Sequence, residues 1–179
     1  YFTNYKMAHF FWFTGLSGAG KTVIANSTKV LAEKEGFRVL ILDGDEVRKS
    51  THAHLSFSPS DIKRNNELIS KICLKKAADF DAILIPIISP YNSSRIKARK
   101  LLGNDFSLIY VKAKISTLEK RDTKGLYLKQ RKGEIKNLIG FSKSNIYEVA
   151  KDYDLLLNTE SDTSQVSSKK LYKFILTKF

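Results

Sequence analysis

The stretch Gly15-Leu16-Ser17-Gly18-Ala19-Gly20-Lys21-Thr22 has the spacing G-x-x-x-x-G-K-T, and the reading of the whole chain turns on it. The apolar run Phe10-Phe11-Trp12-Phe13 precedes it, and an amphipathic segment with Val23, Ile24, Val30 and Leu31 follows. The loop therefore lies between a buried strand and a helix, the context in which such a sequence holds phosphate. Its glycines let the backbone bend until several N–H groups face inward at the positive end of the following helix, forming an anion nest. Lys21 then reaches the terminal phosphates of a nucleoside triphosphate, and Thr22 a magnesium ion. A turn that merely joins strand to helix has no use for the Lys-Thr pair.

Outward from the loop, short apolar runs alternate with longer amphipathic segments. The pattern predicts strands at His9 to Thr14, Phe37 to Leu42, Ala82 to Ile88 with its ladder ending near Pro86, Ser107 to Val111 and Tyr153 to Leu157. Between them it predicts helices at Lys21 to Glu35, Pro59 to Phe80, Ser93 to Leu102, Ser116 to Arg121 and Asp162 to Thr177. Ser58 is placed to cap the second helix, with Pro59 at its first position. The continuous apolar run from Ala82 suits a strand buried on both faces. Strands separated by helices give an α/β fold, a parallel sheet flanked by helices. Residues 7–179 read as one domain, and Tyr1 to Lys6, ahead of the single methionine Met7, as an extension.

The 179 residues carry 31 Lys and Arg against 18 Asp and Glu, a formal charge of +13. That balance suits polyanions and small phosphorylated substrates alike. Lone Cys73 reads as core in a reducing, cytoplasmic setting. No apolar run approaches a membrane span, and no leader precedes the first strand, so no membrane partner is expected. His52 and His54 read as polar loop residues, since no further zinc ligands stand at suitable spacing. Val166, Leu171, Phe174 and Ile175 read as the packing face of a helix whose lysines lie elsewhere around it.

Two segments bear chemistry beyond the loop. Asp43-Gly44-Asp45-Glu46-Val47-Arg48 follows the second strand directly, and in such sheets ligands bind beyond the carboxyl ends of the strands. Read as extended chain, Asp43 and Asp45 point the same way, toward magnesium or toward a hydroxyl that must lose its proton. Arg48 is placed to hold an anionic group. The bland alternative is a strand-ending turn with a capping Asp. The segment of about 121–146 breaks the alternation, with little apolar periodicity and with Lys120, Arg121, Lys124, Lys129, Arg131, Lys132 and Lys136 opposed only by Asp122 and Glu134. A solvated helical hairpin would explain it; beside a phosphate loop, a basic mobile lid explains it better.

These residues resemble the adenylylsulfate (APS) kinase family over nearly the whole chain. The resemblance is carried by Gly15 to Thr22, by Asp43-Gly44-Asp45 with Arg48, by Phe57-Ser58 with Asp61 and Asn65, and by Ile88-Ser89-Pro90-Tyr91 with Arg95. Its most specific part is Arg121-Asp122-Thr123-Lys124-Gly125-Leu126-Tyr127 with Arg131 and Gly133-Glu134-Ile135-Lys136. The resemblance implies a three-layer phosphate-loop kinase, commonly a homodimer, that uses ATP and Mg2+ to phosphorylate the 3'-hydroxyl of adenosine 5'-phosphosulfate. It makes Asp45 the group that orients or deprotonates that hydroxyl, with Asp43 and Thr22 at the metal and Lys21 on phosphate. Arg48, Phe57, Asn65, Ile88, Ser89 and Lys124 match acceptor-binding positions. Ser89 also matches a serine regarded in some relatives as a phosphorylated intermediate, and here is expected to bind first.

The chain departs from the family pattern on the acceptor side. Ile62 stands where an arginine follows the Asp, Leu138-Ile139-Gly140 where the lid has Phe-Thr-Gly, and Asn92 where a basic residue is common. A bidentate arginine and an aromatic face are worth on the order of 1–3 kcal/mol each. Two explanations stand: drift, with Lys63 or Arg64 supplying the anion contact and Phe141 the stacking ring, or a different acceptor such as cytidine diphosphoramidate, which relatives in capsule-forming bacteria phosphorylate at a 3'-hydroxyl. From another class, +13 would serve a nucleic-acid-binding or regulatory NTPase, but no nucleic-acid-binding motif appears and no nucleic acid is expected as partner.

Overall fold

Five strands form one parallel sheet: β1 (His9–Thr14), β2 (Val39–Ile41), β3 (Ala82–Ile85), β4 (Phe106–Lys112) and β5 (Leu155–Asn158), in the order β2-β3-β1-β4-β5. The computed structural model describes residues 7–143 and 145–179; Tyr1 to Lys6, read above as an extension, lie outside the described residues. Central β1 pairs with β3 on one side, Phe10 opposite Ile83, and with β4 on the other, Trp12 opposite Leu108.

Successive side chains of a strand leave opposite faces. Phe11 and Phe13 enter one core with Ile24, Ala25, Leu171 and Ile175. Phe10 and Trp12 enter the other with Ile69, Cys73, Ala98 and Leu102. These four rings are at most 1% exposed, and burying each stabilises by about 1.5–3 kcal/mol. Helices α1 (Lys21–Lys34) and α7 (Ser164–Leu176) cover the first face, and α3 (Pro59–Lys76) and α4 (Asn92–Leu102) the second. Cys73 is core, its thiol pushed up to about 12 by burial. Of the residues expected to pack on the last helix, Leu171 and Ile175 are buried and Phe174 meets Phe11 edge-on, but Val166 is exposed. No helix among the described residues is long and apolar enough to cross a membrane.

The expected elements are present, with ends moved by tertiary contacts. α3 starts with the Asp61 N–H bonded to the Ser58 hydroxyl and with Pro59 first. It stops at Lys76, short of Phe80, where the Ala77 carbonyl accepts the Ala8 N–H at the entry to β1. β5 begins at Leu155, two residues late, because Tyr153 stacks on Tyr110, their centroids 5.9 Å apart.

Two short helices correct the sequence reading. Asp43 to Arg48 is not extended: α2 (Gly44–Ser50) begins there, and the Asp43 carboxylate caps it by accepting the Asp45 N–H. The basic segment, expected as a lid, carries the second of them. After α5 (Ile115–Arg121), α6 (Leu126–Arg131) forms with the Tyr127 and Leu128 N–H groups on the Asp122 carboxylate, and Tyr127, Leu138 and Ile139 are buried. Tyr127 and Leu138 join one core cluster and Ile139 another, so no single helical period shows in the sequence.

Two consequences are measurable. The His9 ring, bonded to the Ser107 hydroxyl at 2.8 Å, is held down to about 4 by burial and by the nearby Lys178 charge. Between about 4 and the unfolded value of 6.5 the unfolded chain binds a proton that the folded chain does not, so stability falls as pH drops through that window. From pH 7 to pH 5 we expect a loss of about 2 kcal/mol in denaturant melts, and a clearly smaller one in His9→Gln. Second, a Cβ on Gly44 would lie 2.5 Å from Ile87 Cγ2. Gly44→Ala, which would ordinarily favour a helix, should destabilise by about 1–3 kcal/mol in the same melts.

Candidate active site

Beyond the carboxyl ends of β1, β2 and β3 lies a cavity of about 700 Å³. Its donor end is the phosphate loop. Gly15 leaves β1 at φ +150°, so close to β4 that a Cβ would lie 2.3 Å from the Val111 carbonyl oxygen. Gly20 follows at φ +97° and opens α1. Ser17, Gly18, Gly20, Lys21 and Thr22 line the cavity, whereas Leu16 and Ala19 are buried in the core beneath it. The Lys21 ammonium donates to the Gly15 and Leu16 carbonyls, each at 2.8 Å. Burial, and secondarily the Lys124 charge, hold it down to about 7. Phosphate negative charge in the loop is what that ammonium lacks.

Two side chains hold the loop from behind. The Tyr127 hydroxyl donates to the Ser17 carbonyl at 2.6 Å, and Thr159 Oγ1 donates to the Ala19 carbonyl at 3.1 Å. With their carbonyls engaged, Ser17 and Ala19 cannot turn them toward an anion.

The acids come next. Thr22 Oγ1 donates to Asp43 Oδ2 at 2.7 Å, while Asp43 Oδ1 takes the Asp45 N–H at 2.9 Å. Asp43 is thus both the cap of α2 and the partner of the loop threonine, so the bland and the chemical readings hold together. One hydroxyl and one carboxylate oxygen suit magnesium, which keeps most of its octahedral shell as phosphate oxygens and water. No cluster of three or more His, Cys, Asp or Glu able to hold a metal occurs among the described residues. Asp45 is largely exposed and pairs with Lys124, which the basic segment brings across the cavity.

The far wall gathers the residues matched to acceptor binding. Arg48 lines it from α2, Phe57 from the connection to α3, Ile62 and Asn65 from α3, Ile88 and Ser89 from the loop after β3, and Lys124 and Leu138 from the basic segment. Arg48 is braced there: Nη1 donates to the Leu55 and Ser56 carbonyls, and the guanidinium lies 4.6 Å from the Phe57 ring centroid. Ile62 and Leu138 do face the cavity. Neither substitute suggested for the missing contacts reaches it. Phe141 packs edge-on against Tyr127 at 5.1 Å; Lys63 lies over the Tyr91 ring at 5.2 Å; Arg64 is exposed and apart from the lining.

Ser89 has φ +42°, the left-handed region, at a cost of about 1–3 kcal/mol for a residue with a Cβ. Its carbonyl is held there by Arg95 Nη1 at 2.7 Å and Thr14 Oγ1 at 3.1 Å. Its hydroxyl oxygen accepts from Trp12 Nε1 at 3.0 Å and from Asn66 Nδ2 at 3.1 Å.

Sequence reasoning missed several of these supports. His52 is no exposed loop residue: it is 4% exposed, its Nδ1 bonded to Asn65 Oδ1 at 2.8 Å. Asn145 is buried and donates to the Phe57 and Asn137 carbonyls, joining the basic segment to the acceptor wall. Asn66 alone carried a readable sign, a polar residue four positions after Ile62 and three before Ile69 on an otherwise apolar stripe.

With this geometry in hand, comparison with known proteins is direct. The adenylylsulphate kinase family model matches residues 7–158. The adenylyl-sulfate kinases of Clostridium kluyveri and Prochlorococcus marinus are 38% and 40% identical to the chain over 168 and 166 residues, spanning 93% and 92% of it and 83% and 82% of their own lengths. The Mycobacterium tuberculosis APS kinase CysC, solved in complex with AMPPNP and APS, superposes with a TM-score of 0.87 at 31% identity, covering 96% of this chain and 98% of that one. Neither the cytidine diphosphoramidate reading nor the nucleic-acid reading gains support from these relatives. A phosphate loop and an acid pair just past the next strand meet on one cavity, and with a sequence this similar along its length they lead to one assignment: the chain belongs to the adenylylsulphate kinase family.

Proposed function

We propose that the chain transfers the γ-phosphoryl group of ATP to the 3'-hydroxyl of adenosine 5'-phosphosulfate, giving ADP and 3'-phosphoadenosine 5'-phosphosulfate. The observation that carries the proposal is a single cavity with Lys21 and Thr22 at one end, Asp45 between, and Asn65 and Ser89 on the far wall. Phosphoryl transfer asks little covalent chemistry of a protein; it asks for aligned oxygens and compensated charge.

In this reading the loop N–H groups and Lys21 hold the β- and γ-phosphates. Thr22 and Asp43 would hold magnesium, whose charge offsets that of the phosphates. Asp45 accepts the proton of the 3'-hydroxyl as its oxygen bonds to the γ-phosphorus and the bond to ADP breaks. Lys124, already paired with Asp45, places a cation beside that carboxylate at the mouth of the acceptor wall. Ser89 binds the acceptor: its oxygen accepts two hydrogen bonds, and no titratable base among the described residues touches it to make it a nucleophile.

Two measurements test this. In a coupled ADP-release assay, adenosine 5'-phosphosulfate should stimulate turnover at least tenfold over the acceptor-free rate, with little response to cytidine diphosphoramidate; the converse would move the chain to another acceptor. Among variants, Lys21→Ala and Asp45→Asn should each lower kcat by two or more orders of magnitude. Only Lys21→Ala should greatly weaken ATP binding in titration calorimetry, and near-normal turnover in Asp45→Asn would remove Asp45 from its role.

A further inference from the structure

Behind the acceptor wall stand His52 and Asn66, buried polar side chains that do not themselves line the cavity. Each is bonded to a residue that does: His52 Nδ1 to Asn65 Oδ1, and Asn66 Nδ2 to Ser89 Oγ. We infer that His52 and Asn66 are positioning residues that fix the hydrogen-bonding polarity of the wall, making Asn65 and Ser89 donors toward an oxygen of the bound acceptor.

The argument is one of valence. An amide has one oxygen and one NH2 group. With Oδ1 of Asn65 occupied by the His52 N–H, the NH2 is the end left for the cavity, and no protein partner for it is seen among the described residues. A hydroxyl has two acceptor sites and one proton. Ser89 Oγ already accepts from Trp12 and from Asn66, so its proton is the group that remains. Both back-side partners are rigidly placed. His52 is fixed by its own N–H on the Val47 carbonyl and by the Leu55 N–H on its carbonyl, while Asn66 lies inside α3. Beside them stands apolar Ile62, 4% exposed. The wall therefore offers neutral donors and recognises an oxygen that carries lone pairs, whether of the phosphosulfate or of the ribose. The inference rests on the proposed acceptor reaction for its substrate, but not for its hydrogen-bond directions.

The test uses kinetics and one spectroscopic measurement on the full chain. His52→Leu and Asn66→Asp should each raise KM for adenosine 5'-phosphosulfate about tenfold while leaving KM for ATP within about twofold, and His52→Asn, whose amide can donate to Asn65 Oδ1, should restore the acceptor KM. In Asn66→Asp the new side chain takes the Ser89 proton, so adding Ser89→Ala should have little further effect. An unchanged acceptor KM, equal losses for both substrates, or full additivity would overturn the inference. Replacing the adenosine 5'-phosphosulfate with adenosine 5'-phosphate, which keeps the ribose and lacks the sulfate, separates the sources: sensitivity to His52→Leu that persists places the oxygen on the nucleotide, and sensitivity that disappears places it on the sulfate. Independently of any acceptor, nitrogen-15 spectra of the wild-type His52 ring should show the proton on Nδ1. A proton on Nε2 instead would overturn the inference even with the kinase reaction intact, and failure of adenosine 5'-phosphosulfate to turn over would remove the proposed function while leaving this measurement to decide.

Discussion

The strand His9–Thr14 has no face open to water, and the rest of the molecule answers to that constraint. With Phe11 and Phe13 buried on one side and Phe10 and Trp12 on the other, polar chemistry has nowhere to go but the end of the strand. Its neighbours run parallel to it, so they end on the same side. The phosphate loop, the Asp43 turn and the Ser89 loop are the first residues past β1, β2 and β3, and one cavity collects all three. Gly15 makes the exit possible, since only a residue without a side chain passes the Val111 carbonyl.

The polar groups just under that cavity are nearly all matched, as a low-dielectric setting requires. Arg95 is the demanding case. It is 4% exposed, and among the described residues it donates to oxygens of Ser89, Thr14, Asn92 and the Glu148 backbone rather than to a carboxylate. Its burial holds the guanidinium below its ordinary value while the nearby Tyr147 and Glu148 groups act the other way. One planar fork thus joins the left-handed turn at Ser89 to the chain returning from the basic segment.

How much of this was legible depends on whether a residue's role is local. Strands and long helices were, because burial writes a period into the sequence, and so was the phosphate loop, whose spacing is its mechanism. The substrate-matched positions from Asp45 to Leu138 do meet on one cavity, a placement the family resemblance carried and periodicity alone would not. α2 was hidden because its seven residues are too few to show a helical repeat and its cap, Asp43, looked like chemistry alone. His52 stands in a loop as expected, but nothing in a single sequence marks a loop residue that folds inward to meet Asn65, thirteen positions on. Arg48 had the right neighbourhood, but its hydrogen bonds go to carbonyls of its own chain, which no residue pattern announces.

The bond from the Tyr127 hydroxyl to the Ser17 carbonyl has a mechanical meaning. It rivets the start of the basic segment to the floor of the phosphate loop, with Asp122 bracing α6 at the same point. Leu138, seated in the core, is a second rivet. The segment between these two points is tied as well: Ile135 packs against the same core, and the Asn137 carbonyl accepts the Asn145 amide. Lys136 lies between those two residues and lines the cavity, so its charge is carried there by a stretch pinned on either side of it.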